Sequence, residues 1–188
     1  KISLAVLITN KNIFELPKII QWAKKKNIKV VFQSLDENLE NQQIGKYRNN
    51  WWQKSDLWPG DKSDIKTSFE KIIELKKLDY PIANSQGLLQ SMKNFYLNPG
   101  KIETGSCCVG QKNLVINPDG RVRFCFRGSF LGNLKEESIK RVWNNTIARH
   151  ERKIIRKCSK TCRIVNCNYP ISFRDKFKSF FRRLNNAK

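Results

Sequence analysis

The spacing of apolar residues changes repeatedly along this chain, and each change predicts an element. Ile2 to Thr9 (ISLAVLIT) is almost continuously apolar and too short for a lone helix. It predicts a strand buried on both faces, as in a parallel sheet. Asn10 and Asn12 then offer loop and capping chemistry. From Phe14 to Lys26 the apolar positions Leu16, Ile19, Ile20 and Ala23 recur at helical spacing, and Pro17 falls where a first turn tolerates it. Ile28 to Leu35 (IKVVFQSL) predicts a second buried strand. Strand, helix and strand in this order make a βαβ unit with a parallel sheet.

Residues 36–61 are polar and irregular, with Trp51, Trp52 and Trp58-Pro59-Gly60 embedded. Those indoles could bind a ligand, but packing the loop onto the domain is the favoured reading. Asp61 to Leu78 opens on Asp and Ser caps and carries Ile65, Phe69, Ile72, Ile73 and Leu75, a further amphipathic helix. Ile82 and Ala83 read as a short extended piece, and Leu88 to Leu97 as another helix. Asn98-Pro99-Gly100 marks a boundary between a first domain, 1–98, and a second, 99–170.

The second domain begins with a hairpin pattern. Leu114, Val115 and Ile116 predict a short strand, and Asn117-Pro118-Asp119-Gly120 a turn in which Pro118 pre-sets φ and Gly120 accepts a positive φ. Arg121 to Phe126 alternates polar and apolar, as a returning strand with one buried face does. Gly128 to Asn133 is read as a turn, and Leu134 to Ala148 as one helix whose apolar face includes Ile139, Val142 and Trp143. Arg149 to Lys157 is a basic stretch leading to Cys158. The tail, 171–188, sets Phe173, Phe177, Phe180, Phe181 and Leu184 on one helical face among Arg and Lys, a basic amphipathic helix that suits an anionic membrane or docking on the domain.

Charge sharpens this division. The 188 residues carry a net +21. Residues 1–100 hold 16 Lys and Arg against 10 Asp and Glu, and residues 101–188 hold 21 against 6. Such a field favours anionic partners: acidic peptide, nucleic acid or a membrane surface. Lys enrichment spread over a solvated surface is the plainer reading. No run of about 18 apolar residues crosses a bilayer, no secretory leader is legible, and the expected location is the cytoplasm, with membrane association through the tail. The chain opens inside a strand with no initiator Met, which is read as the mark of a piece of something longer. No glycine-rich phosphate loop occurs, and His150 is the single histidine, expected to be exposed rather than a ligand.

The six cysteines fall into two groups: Cys107, Cys108 and Cys125 around the hairpin, then Cys158, Cys162 and Cys167 in a C-x3-C-x4-C run. The hairpin is expected to carry Cys125 back toward Cys107 and Cys108. Clustered thiols in a Lys-rich chain point to a soft metal, zinc or an iron–sulfur cluster, ahead of disulfides or inert core thiols.

Taken together, Cys107, the run from Leu114 to Cys125, Leu131-Gly132-Asn133-Leu134, a helix with Trp143, and Cys158, Cys162 and Cys167 resemble the SPASM/twitch extension of radical S-adenosylmethionine enzymes. The step from Gly120 to Cys125 fits, as does the offset from Cys158 to Cys167. The middle cysteine of that group is shifted by one from the usual C-x2-C-x5-C. The resemblance implies that residues 1–98 are the end of a partial (β/α) barrel, so the expected fold is α/β followed by a small α+β cysteine domain with a two-stranded hairpin. It implies one auxiliary 4Fe–4S cluster on Cys107, Cys125, Cys158 and Cys162, with Cys108 and Cys167 as alternates. Six thiols are too few for two fully thiolate-ligated clusters. The defining C-x3-C-x2-C motif of the radical-initiating cluster is absent from these residues, so S-adenosylmethionine belongs only to the complete enzyme. The implied partners are an N-terminal barrel half, a peptide or other anionic substrate, and an electron donor such as ferredoxin or flavodoxin. The competing reading is a zinc-stabilised basic module on nucleic acid, favoured by charge alone.

Overall fold

The structure, a computed structural model, describes residues 2–36, 50–100 and 107–158. They build a mixed α/β chain with two hydrophobic cores. The tail, Cys162 and Cys167 lie outside the described residues.

The first core is laid on a parallel pair, β1 (Ser3–Ile8) and β2 (Lys29–Ser34), in register from Ser3 opposite Lys29 to Ile8 opposite Ser34. The crossover is α1 (Leu16–Lys25), with Pro17 in its first turn and Leu16, Ile20 and Ala23 buried. Ile82 adds a parallel bridge to Val30 on the other side of β2. Asn84 extends this contact by accepting from Phe32 N at 2.7 Å and donating to Phe32 O at 2.9 Å. Helix α2 (Lys62–Lys77) starts at Asp61, whose carboxylate accepts from Ser63 N and Asp64 N. Helix α3 (Gln86–Leu97) starts at Ser85, which caps Leu88 N.

The strands are not buried on both faces as expected. In β1, Val6 and Ile8 point into the core while Ser3, Ala5 and Leu7 are exposed, Leu7 by 42%. β2 alternates the same way. The described helices cover one face, so the apolar run sorts by its period of two. Leu4, Leu7, Ile19 and Trp22 are left lining an open, largely apolar groove between β1 and α1.

The C-terminal ends of the strands are tied by one side chain. Tyr96 O–H donates to Ile8 O at 2.7 Å and accepts from Leu35 N at 2.7 Å. Trp58 packs on its ring at 4.8 Å, and Trp51 and Trp52 pack on Trp58 at 5.4 and 6.3 Å. The tryptophans of the irregular stretch therefore close the first core. Trp52 and Trp58 also wall a cavity of about 480 Å³ with Pro59, Lys62 and Leu97. Among the described residues no helix is long and apolar enough to cross a membrane.

The second core departs from expectation in two places. The hairpin of β3 (Val115–Ile116) and β4 (Arg121–Arg123) forms, but a third strand, β5 (Gly132–Asn133), pairs antiparallel with β4 where a turn was expected. The expected helix from Leu134 to Ala148 is two helices, α5 (Ile139–Asn144) and α6 (Thr146–Arg156), preceded by a one-turn α4 (Val109–Lys112). Local capping explains the split: Ser138 accepts from Arg141 N, and Asn145 accepts from Ala148 N at 2.8 Å. Asn145 also donates to Leu131 O at 2.8 Å, anchoring the break to the sheet. The basic stretch from Arg149 to Lys157 is mostly helix α6.

Candidate metal centre

The hairpin is set by its turn. Gly120 N donates to Asn117 O at 2.9 Å, with Gly120 at φ +88°. A Cβ there would fall 2.4 Å from Asn133 Oδ1, so both conformation and space call for glycine. Asp119 accepts from Arg121 N at 3.1 Å and from Arg121 Nε at 2.6 Å. These bonds, the backbone one foremost, hold its carboxyl below the usual range.

β4 delivers Cys125 just beyond its end. The next residues form a tight turn: Gly128 N donates to Cys125 O at 2.9 Å, and Arg127 N donates to Cys125 Sγ at 3.4 Å. Glu151 of α6, only 4% exposed, accepts from Ser129 N at 3.1 Å. Gly128 lies against that carboxylate, where a Cβ would be 2.5 Å from Oε1.

Cys107 is buried with Val109, Val122, Phe124, Leu131, Val142, Ala148 and Ile155. Cys125 and Cys158 are half-buried and pack on the same core. Cys158 follows α6 and donates its N–H to Ile155 O at 3.0 Å. Cys108 is half-buried at the N-cap of α4 and outside that core group. Three thiols from separate points of the chain thus border one apolar core. Among the described residues, however, no three Cys, His, Asp or Glu side chains gather into a group able to hold a metal ion. His150 is exposed on α6.

The donors fit an iron–sulfur group in kind. Thiols are the soft ligands such a group takes, Cys125 Sγ already accepts an N–H, and the surroundings are cationic. Cys162, the fourth expected ligand, and Cys167, an alternate, are not among the described residues.

Arg152 braces the centre. Its Nε donates to Gly110 O at 2.9 Å and its Nη2 to Trp143 O at 2.8 Å. Its guanidinium stacks 4.5 Å from Phe124 and 4.6 Å from Trp143. Burial, then the nearby Arg156, draws its pKa down. Glu151 and Arg152 were passed over in the sequence, although both sit between Ala148 and Ile155 on the core-facing stripe of α6. A charged pair interrupting an apolar stripe was the available signal.

The class these observations define is a cysteine-bordered α+β unit built on a three-stranded antiparallel sheet. Residues 107–168 match the SPASM family, described as an iron–sulfur cluster-binding domain. That span includes all six cysteines and implies iron–sulfur cluster binding by this stretch. Comparison of the chain with curated proteins and with solved structures finds no match.

Proposed function

We propose that this chain is the cluster-bearing C-terminal part of a radical S-adenosylmethionine enzyme of the SPASM type. Its role would be auxiliary: one 4Fe–4S cluster serving electron transfer or the anchoring of a substrate, with a peptide as the favoured class. The observation that carries this reading is the SPASM match over residues 107–168, in which Cys107, Cys125 and Cys158 border one core.

Cys107, Cys125, Cys158 and Cys162 are the proposed ligands, with Cys108 and Cys167 as alternates. A cluster held there would supply one-electron chemistry or an open iron site. The chain's own residues would hold it in place. The Cys125 turn fixes one thiol, α6 fixes the approach of Cys158, and Arg152 keeps α4, which follows Cys107, against α5. The cationic surroundings would offset the negative charge of the thiolates. The radical-initiating cluster and S-adenosylmethionine are assigned to polypeptide other than these residues. The parallel order β1, β2, Ile82 supports a role as the end of a partial barrel. The apolar groove beside β1 is where further β/α units would add.

Metal and sulfide analysis of anaerobically purified protein, with its visible spectrum, tests this. About four irons and four sulfides per chain are expected, and Cys125→Ala should abolish loading. Loading that survives Cys125→Ala would overturn the ligand assignment. One zinc without sulfide would overturn the enzyme reading and favour the basic nucleic-acid module.

A further inference from the structure

Three bonds hold the turn that carries Cys125 from within its own unit. Gly128 N reaches Cys125 O at 2.9 Å, Arg123 Nη1 reaches Phe126 O at 2.8 Å, and Glu151 takes Ser129 N at 3.1 Å. A further contact leaves the unit. The Arg127 guanidinium donates through Nη2 to Asp36 Oδ1 at 3.2 Å, across 91 positions of sequence. The Arg127 side chain is only 8% exposed and that of Asp36 39%. Asp36 lies two residues past the end of β2. In parallel α/β sheets this is the end at which ligands bind.

We propose that Arg127 is a positioning residue: its ion pair with Asp36 registers the Cys125 turn against the C-terminal end of β2. A group held by Cys125 is thereby kept at a fixed distance from the ligand-facing end of the parallel sheet. This deepens the proposed function, and rests on it only for what Cys125 holds. The geometry of the turn itself stands without a cluster. The Arg127 end is sheltered while Asp36 is exposed, so the pair is screened at one end only and the guanidinium is held by its packing as well as by its partner. Arg suits the task because its planar fork is rigid and always charged.

The test uses the full chain, purified anaerobically, in four forms: wild type, Asp36→Asn, Arg127→Met, and the exchange Asp36→Arg with Arg127→Asp. Amide hydrogen exchange is followed by mass spectrometry on peptides covering residues 124–130, the first core and α6. In Asp36→Asn and Arg127→Met, exchange at 127–129 should rise about 10-fold, between the small effect of an exposed pair and the large one of a buried pair. The α1 and α6 peptides should keep their wild-type rates. The charge exchange should restore at least part of the protection. In cluster-loaded protein, Asp36→Asn should keep its iron and sulfide while its midpoint potential shifts. Unchanged exchange at 127–129 would overturn the proposal. So would equal acceleration everywhere, which marks general destabilisation, or an exchanged pair no better than the single variants. Failure of wild type to load iron would sink the cluster reading alone, because the exchange measurement does not depend on it.

Discussion

Tyr96→Phe removes one oxygen from the first core and nothing else. The ring remains, with Trp58 at 4.8 Å, Phe95 at 5.5 Å and Phe69 at 5.9 Å, so no cavity of consequence opens. What is lost is a pair of 2.7 Å hydrogen bonds, from Leu35 N and to Ile8 O. Ile8 is fully buried and Leu35 is 7% exposed, so water cannot readily replace the hydroxyl. Each orphaned backbone group costs about 1–3 kcal/mol. Because the Leu35 end lies nearer solvent, the expected total is about 2–4 kcal/mol. Urea unfolding followed by tryptophan fluorescence reads this directly, since Trp58 sits on the ring. The midpoint should fall with the slope unchanged, and the Leu35 amide should exchange faster. A loss below about 0.5 kcal/mol, no more than an ordinary surface change, would refute the claim that this hydroxyl ties the strand ends. The pH dependence carries the same logic. Burial pushes the Tyr96 hydroxyl above its ordinary value of 10.0, and the bond from Leu35 opposes that only in part. A raised folded-state pKa gives stability that is complete below about 10 and is lost as pH rises beyond it. The alkaline decline should therefore be shallower in Tyr96→Phe.

Two further outcomes concern the hairpin. Gly120→Ala must adopt φ +88° and displace Asn133 Oδ1, which now accepts from Lys135 N at 3.0 Å; the expected loss is about 1–2 kcal/mol, read as a lower thermal midpoint. Asp119 has a lowered pKa in the folded chain, so the stability it contributes is present above its ordinary value near 3.8 and is lost as pH falls through the folded value. Asp119→Asn should flatten that acid limb in a thermal-shift series from pH 2 to 6, while an unchanged limb would remove Asp119 from the account.

The first unit was legible because its elements are local and strongly periodic. Leu16, Ile20 and Ala23 marked α1, and Asp61 marked the start of α2; in the second unit the NPDG turn likewise marked the hairpin. Burial of the strands was misjudged because an apolar run does not reveal how many faces will be covered. Leu7 shows this, apolar in sequence and open in the structure. β5 was missed because two residues carry no period, and its pairing depends on Leu131 N reaching Val122 O at 2.7 Å. The break at Asn145 was available as an N-cap signal but was outweighed by continuous helical spacing. Of the centre, the thiols were legible as two groups. Their braces were not, since Arg127 with Asp36 and Arg152 with Gly110 join residues that no local pattern connects.

Helix α6 acts as a ruler. Asn145 fastens its first turn to the sheet through Leu131, and Cys158 stands two residues past its last. From Thr146 to Arg156 the backbone climbs about 15 Å at 1.5 Å per residue. Tilting by about 5° at the fastened end would move the far end of the helix by about 1.3 Å, several times the roughly 0.2 Å within which a metal–ligand distance must fall. A one-residue insertion would swing that thiol by about 100° off the core, and three or four residues would bring it only roughly back. Chain length between Asn145 and Cys158 is thus a quantised variable, and single insertions or deletions there carry a penalty out of proportion to their size.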